Sequence, residues 1–148
     1  MNIIKATLTD AEEIARNNIE MARESEQIVL SKSVAITAVK NLINDSEKGF
    51  YLLIKRNNKI IGQLMITFEW SDWRNNTIWW IQSVYVDPAY RKQGVFRSLY
   101  KYIQDLANKN DVKVLRLYVH EQNKKAIKVY ESLGMEKKSY VIYESMIT

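Results

Sequence analysis

Residues 49–86 hold three strand-like runs in close succession, and this stretch restricts the fold more than any other. Gly49 opens the first run, Phe50-Tyr51-Leu52-Leu53-Ile54-Lys55, which is apolar and aromatic. Residues 59–70 form a second, long run with Gly62 near its start, and residues 77–86 a third, strongly apolar and β-branched. Asn57-Asn58 separates the first two and is a hairpin-turn signal, because asparagine tolerates the positive φ of tight turns. Residues 71–76 are a polar connection. The pattern predicts an antiparallel meander.

Helical patterns flank it. Ile3-Ile4-Lys5-Ala6 reads as a short first strand. Thr9-Asp10-Ala11-Glu12 has the form of a capping box with Thr9 as N-cap, and Ile14, Ala15, Asn18, Ile19 and Ala22 continue it as a helical stripe. Residues 33–43 predict a second helix; residues 24–32 read equally as a loop or a helix extension. Asp87-Pro88, with the only proline of the chain, ends the meander. Residues 94–109 then carry Val95, Phe96, Leu99, Ile103 and Leu106 along one helical face. Residues 112–120 predict a strand. Asn123 can cap a last helix whose inward face is Ala126, Ile127, Tyr130 and Leu133, with Gly134 as its C′ residue. Residues 138–147 predict one or two final strands. The whole is a mixed α/β (α+β) chain with about four helices. It shows no repeat, linker or low-complexity segment, so residues 1–148 read as one domain.

Composition closes off several chemistries. No cysteine is present, which excludes a disulfide framework, a thiolate metal site and a cysteine nucleophile. The single histidine, His120, argues against a multi-histidine metal site, and no metal is expected. No secretory pattern and no membrane-length apolar run occurs, which predicts a cytoplasmic protein that does not engage a membrane. Charge is uneven: 12 of the 22 Lys/Arg but only 6 of the 17 Asp/Glu follow residue 90. Such an excess suits a polyanion or a phosphorylated small ligand, or is a solvated basic surface. No regular basic stripe or nucleic-acid motif accompanies it, so nucleic acid is not an expected partner.

Two segments carry the chemistry. In the first, a strand ending at Val84-Tyr85-Val86 runs through Asp87-Pro88 and a basic loop, Arg91-Lys92-Gln93, into a helix opened by Gly94. Helix starts present unpaired amides and a positive dipole end, and glycine lets a phosphate approach the backbone. Arg91, Lys92 and Arg97 add full charges. Gln93 to Arg97 thus form a reasonable pyrophosphate cradle; an ordinary strand–loop–helix connection is the competing reading. In the second segment, Asn123 as N-cap and Tyr130 as a core-edge aromatic have complete structural explanations of their own.

Taken together, the two segments resemble the GNAT superfamily of acetyl-CoA-dependent N-acetyltransferases. Arg91-Lys92-Gln93-Gly94-Val95-Phe96 is similar to its phosphate motif, Gln/Arg-x-x-Gly-x-Gly/Ala, and departs from it at Phe96, where the family has a small residue. Asn123, Ala126, Tyr130 and Gly134 match the later Asn-x-x-Ala-x-x-x-Tyr-x-x-x-Gly-Phe pattern, with Met135 in place of the last Phe. The resemblance implies a mostly antiparallel mixed sheet whose central parallel strands, residues 77–86 and 112–120, splay apart. It implies that backbone groups of Val84, Tyr85 and Val86 bind the pantetheine and the acetyl carbonyl of acetyl-CoA. Amides of Gln93, Gly94, Val95, Phe96 and Arg97, with Arg91 and Lys92, would take the pyrophosphate. Asn123 would bond the pantetheine arm and Tyr130 would act as the catalytic acid at sulfur. The activity implied is direct acetyl transfer to a primary amine of a small molecule or peptide. A catalytically silent acyl-CoA-binding or sensing module on the same fold is the alternative. A homodimer is a further expectation, since many members of the family dimerise.

The base that deprotonates the amine is open between Glu69, His120 and ordered water. All four tryptophans, Trp70, Trp73, Trp79 and Trp80, fall within residues 70–80. Strand alternation puts Trp79 and Trp80 on opposite faces, one for the core. The other, with Trp70 or Trp73 and beside Glu69 and Asp72, would line a pocket for a cationic amine or else form a packed core and dimer contact.

Overall fold

The runs between residues 49 and 86 form the middle of a five-stranded sheet. Its strands are β1 (Ile3–Lys5), β2 (Gly49–Arg56), β3 (Lys59–Ser71), β4 (Asn76–Val86) and β5 (Leu115–Leu117), and they lie side by side in that order. β1 to β4 are antiparallel; β4 and β5 are parallel. The structure is a computed structural model that describes residues 1–148 in two compact units, Met1–Tyr118 and Val119–Thr148.

The hairpin between β2 and β3 turns as expected, with Asn57 and Asn58 both in the left-handed region at φ 52° and 60°. The β3–β4 ladder contains a bulge. Gln63 faces Tyr85 while Met65 faces Gln82, so β4 carries one extra residue there. Ser83, at φ 52°, lies in that interval.

Helices α1 (Ala11–Glu26) and α2 (Lys32–Ile43) cover one sheet face. Ala11, Ile14, Ala15, Val39 and Leu42 pack there with Tyr51, Leu53 and Ile60, all buried. The entry to α1 differs from the sequence reading. A 3-10 turn at Leu8–Asp10 takes up Thr9, and the reciprocal cap forms two residues earlier, with the Thr7 amide donating to Asp10 Oδ2 at 2.8 Å. Of residues 24–32, the first three extend α1, and 27–31 are a loop ending at Ser31, whose Oγ caps α2 by accepting the Val34 amide. Gln63 is fully buried beneath α1. Its Oε1 accepts Asn17 Nδ2 at 2.9 Å, and its Nε2 donates to Asn18 Oδ1 at 3.0 Å and the Ile14 carbonyl at 3.4 Å. An amide in the core is tolerable because every polar atom finds a partner.

Helix α3 (Val95–Lys109) packs on the sheet through Val95, Leu99 and Ile103. Gly62 on β3 permits a close approach: a Cβ there would stand 2.4 Å from Val95 Cγ1. β5 is shorter than the expected 112–120, because it pairs with β4 only at Trp79, Trp80 and Ile81.

In the second unit, α4 (Lys124–Ser132) begins at Asn123, whose Oδ1 accepts the Ala126 amide at 3.2 Å. Ala126, Ile127, Tyr130 and Leu133 are its half-buried stripe and the intervening residues are exposed, as the spacing predicts. Gly134 follows at φ 90°. Residues 138–147 do not form the expected strands. They take no regular secondary structure. No helix is long and apolar enough to cross a membrane.

Candidate active site

The site is built from the far end of β4. The Asp87 amide donates to the Ile61 carbonyl at 2.9 Å, so the backbone of Asp87, and of Tyr85 opposite Gln63, faces β3. Alternation turns Val84 and Val86 the other way. On that side β5 has already left the ladder, since pairing stops at Ile81 and Leu117. The parallel strands therefore part as the resemblance implied, and Val84 and Val86 lie on an edge of β4 that no strand covers.

The loop that follows is bent by two left-handed residues, Lys92 at φ 62° and Gly94 at φ 80°. For lysine that conformation costs on the order of 1 kcal/mol. A Cβ on Gly94 would meet no atom within 4 Å, so glycine is required by backbone conformation, and the space before it is open. The first hydrogen bond of α3 runs from the Ser98 amide to the Gly94 carbonyl at 3.0 Å. The amides of Val95, Phe96 and Arg97 thus precede the helical ladder, beside exposed Lys92 and Gln93. Phe96 does not loosen this helix start. Its ring lies along α3, 6.1 Å from that of Tyr100, and the close contact with the sheet is made by Val95 over Gly62.

Arg91 is engaged differently from the sequence expectation of a phosphate-binding cation. Its Nε donates to the Val86 carbonyl at 3.1 Å, and its two terminal nitrogens hold Glu24 Oε1 and Oε2 at 2.7 and 3.1 Å. The Arg91 hydrogen bond keeps the Glu24 carboxyl below its usual range. The pair ties the last turn of α1 to the loop before α3.

A cavity of about 360 Å³ lies between α1, α2 and the sheet and ends at Ser83, next to the uncovered edge. Leu30, Val34 and Met65 make it largely apolar; Asn18, Ser31 and Tyr51 add polar groups, and no charged side chain lines it. Burial pushes the Tyr51 phenol up, and its hydrogen bond with Asn18 opposes that.

The tryptophan cluster lies elsewhere. Trp79 is buried, edge-on to Phe50 at 5.5 Å. Trp80 is on the opposite face, stacked on Tyr118 at 4.4 Å, with its indole N–H on Glu69 Oε1 at 2.8 Å. Glu69 Oε2 also accepts from Arg116 at 3.3 Å. Trp70 and Trp73 are 62% and 89% exposed around the β3–β4 turn. Glu69 pairs with Ile78, six residues before Val84, which is about 20 Å along an extended strand. Neither Glu69 nor Trp70 borders the uncovered edge, and Trp80 is four residues from it. The carboxylate–aromatic pocket read from the sequence is therefore not at this end of the sheet. What the sequence reading missed is Leu30, Tyr51, Met65 and Ser83. Asn18, a polar residue within an apolar stripe, was the signal that could have led to them.

In the second unit, Asn123 caps α4 as described. Burial raises the pKa of Tyr130, which keeps the phenol protonated. His120 Nδ1 accepts the Gln122 amide at 3.1 Å.

A mixed sheet that parts beside an open helix start is the architecture of an acyltransferase. The chain matches the Acetyltransferase (GNAT) family over residues 5–135 and belongs to that family. It is 40% identical to a possible acetyltransferase from Clostridium difficile 630, whose crystal structure superposes with a TM-score of 0.92 over 99% of this chain and 97% of that one. It is also 31% identical over 77 residues to the thialysine N-epsilon-acetyltransferase of Bos taurus, covering 52% of this chain and 45% of that protein. Over 52 residues it is 42% identical to the [ribosomal protein bS18]-alanine N-acetyltransferase of Escherichia coli K12, covering 35% of each. The chain thus spans under half the length of these curated relatives.

Proposed function

We propose that the chain transfers the acetyl group of acetyl-CoA directly to a primary amine of a small molecule or peptide, inside the cell, with residues 1–148 acting as one domain. The observation that carries this reading is the uncovered edge of β4 at Val84 and Val86, leading through Gly94 into the open start of α3. The residues present fit the cosubstrate. Backbone groups of Val84, Tyr85 and Val86 would hold its pantetheine amides and acetyl carbonyl. Amides from Gln93 to Arg97, with Lys92 nearby, would hold its pyrophosphate, and Asn123 would bond the pantetheine arm. Arg91 serves this site by positioning the loop, held on Val86 and Glu24, more than by meeting phosphate itself.

Each chemical role follows from a group on the chain. A β4 amide aimed at the acetyl carbonyl stabilises the oxyanion that forms on attack. The amine attacks as a neutral base from the cavity at Ser83. No carboxylate lines that cavity, so its proton leaves to water. Tyr130, kept protonated by burial, donates a proton to the departing thiolate. The apolar lining favours an amine on an uncharged, partly apolar body over a polycation. The names of the bovine and bacterial relatives, one for a thialysine and one for an alanine of a ribosomal protein, support an amine acceptor without choosing between free amine and peptide.

Calorimetry with acetyl-CoA, and release of free thiol on a panel of amines, test the reading. Binding should be clear with the native chain and severely weakened in Gly94→Glu, which sets a carboxylate before the helix start. Equal affinity in a folded variant would overturn the assignment of this site. Binding without thiol release to any amine would favour a silent acyl-CoA-binding module.

A further inference from the structure

One wall of the cavity that ends at Ser83 has hydrogen bonds that run in a single direction. Gln63, fully buried, sets that direction. Its Nε2 donates to the Ile14 carbonyl, which can only accept, so its Oε1 is the atom that takes Asn17 Nδ2. The same Nε2 donates to Asn18 Oδ1 at 3.0 Å. Asn18 is thereby held with its oxygen on Gln63, leaving Nδ2 for Tyr51. A bond that lowers the pKa of a phenol is one that the phenol oxygen accepts, and the bond from Asn18 acts in that sense. Burial raises the same pKa and keeps the proton on. What Tyr51 offers the cavity it lines is therefore an O–H donor.

The rest of the cavity decides what that donor can meet. Its volume of about 360 Å³ is at the small end for small-molecule sites. Leu30, Val34, Ala38 and Met65 can bury the body of an occupant, and no charged side chain is among the lining residues. A carboxylate or a second ammonium there would lose its hydration without gaining a counter-charge. A neutral carbonyl, ether or hydroxyl oxygen loses far less and recovers it on the Tyr51 proton. Distance adds a condition. Tyr51 pairs with Met65, and Met65 with Gln82 next to Ser83, so Tyr51 and Ser83 stand two strand spacings apart, about 10 Å. An amine reacting at Ser83 must carry its oxygen several bonds away.

We propose that Tyr51 determines the specificity of the acceptor site, selecting linear primary amines whose far end is a neutral hydrogen-bond acceptor and turning away those that end in a carboxylate or a second ammonium. The position of the amine rests on the proposed acetyl transfer. The donor itself rests on the hydrogen-bond chain through Gln63 and Asn18.

Four amines on one six-carbon chain test this with acetyl-CoA, by release of free thiol: 6-aminohexanamide, hexylamine, 6-aminohexanoate and 1,6-diaminohexane. The amide should have the highest kcat/KM, about five- to tenfold above hexylamine. Tyr51→Phe keeps the ring and removes the donor. The KM for the amide should rise by about the same factor with kcat kept, while hexylamine kinetics stay within about twofold of native. A merely structural role would move both amines alike. The proposal is overturned if 6-aminohexanoate or 1,6-diaminohexane is used as well as the amide, or if Tyr51→Phe slows the amide and hexylamine equally. If no amine releases thiol, the transfer reading fails, and calorimetry with 6-aminohexanamide alone judges the donor. Binding about five- to tenfold weaker in Tyr51→Phe then supports it; equal affinity, or no binding to the native chain, overturns it. If Tyr51→Phe does not fold, the order of the four amines on the native chain decides.

Discussion

Gly62→Ala is the perturbation that most directly tests how the sheet positions α3. The new methyl carbon would lie 2.4 Å from Val95 Cγ1 and 3.5 Å from Leu99 Cδ1. Carbon atoms in contact prefer about 3.5–4.0 Å, so the overlap with Val95 exceeds an ångström. Val95 is 2% exposed and cannot swing into solvent. As a β-branched residue in a helix it has one strongly preferred rotamer. The first turn of α3 must then lift from the sheet, at about 1–3 kcal/mol, the usual range for overpacking. For a chain of this size that lowers the melting temperature by roughly 3–10 °C. Because Gly94 and the start of α3 belong to that turn, acetyl-CoA affinity should also fall in protein that remains folded. Thermal melts followed by circular dichroism, with calorimetry on the folded fraction, measure both. Val95→Ala removes the clashing methyl, so the double variant should lose less than the two single losses added, by about 1 kcal/mol. A Gly62→Ala protein that melts at the native temperature, or strict additivity with Val95→Ala, would refute the argument.

Four further outcomes are expected. Tyr130→Phe should keep its fold and acetyl-CoA affinity but lose at least about tenfold in turnover, below the usual 10² to 10⁴ for a general acid because water can substitute; unchanged steady-state turnover would leave Tyr130 a packing residue. Glu69→Gln should leave the pH profile of kcat/KM within about twofold, since some 20 Å of strand separate it from Val84; loss of the acidic limb of that profile would restore it as the base. Ala38→Phe, which fills the cavity ending at Ser83, should raise the KM for amine well above that for acetyl-CoA, and parallel rises would remove the cavity from the acceptor's path. Against the penalty of burial, Lys55 and the Thr7 amide hold the Asp10 carboxyl below its ordinary value of 3.8. A depressed carboxyl contributes stability that is present above that value and is lost as pH falls through the folded one. Asp10→Asn should therefore weaken the acid dependence of the denaturation midpoint below about pH 4, and an unchanged slope there would exclude this pair as its source.

The meander and the four helices were legible because their signals are local. Alternation, the Asn57-Asn58 turn and the stripe on α4 each depend on neighbours in sequence. The glycine-opened helix was legible for the same reason. What escaped depends on partners far along the chain. Glu69 reads as a free strand-end carboxylate until Trp80 and Arg116 are seen to hold it. The hold of Glu24 on the Arg91 fork, across 67 residues, is likewise invisible to any local pattern. The extra residue in β4 at Ser83 follows from pairing register, which no single-strand pattern reveals, and the cavity beside it went unseen with it. Residues 138–147 have the composition of a strand yet take no regular secondary structure, because strand formation depends on a partner that local pattern does not supply.

Chain order and sheet order coincide in this protein, from β1 through β5. During synthesis each strand can therefore join an edge that is already laid down, without displacing another. The antiparallel part is complete once Val86 has emerged. β5 comes later, after the crossover through α3, and is fastened by three residue pairs. Parallel pairing across such a crossover is intrinsically slow. A chain arrested on the ribosome before Leu115 would thus hold four paired strands but no divergence between β4 and β5. Competence for the cosubstrate should appear late in translation, as a step separate from the folding of the meander.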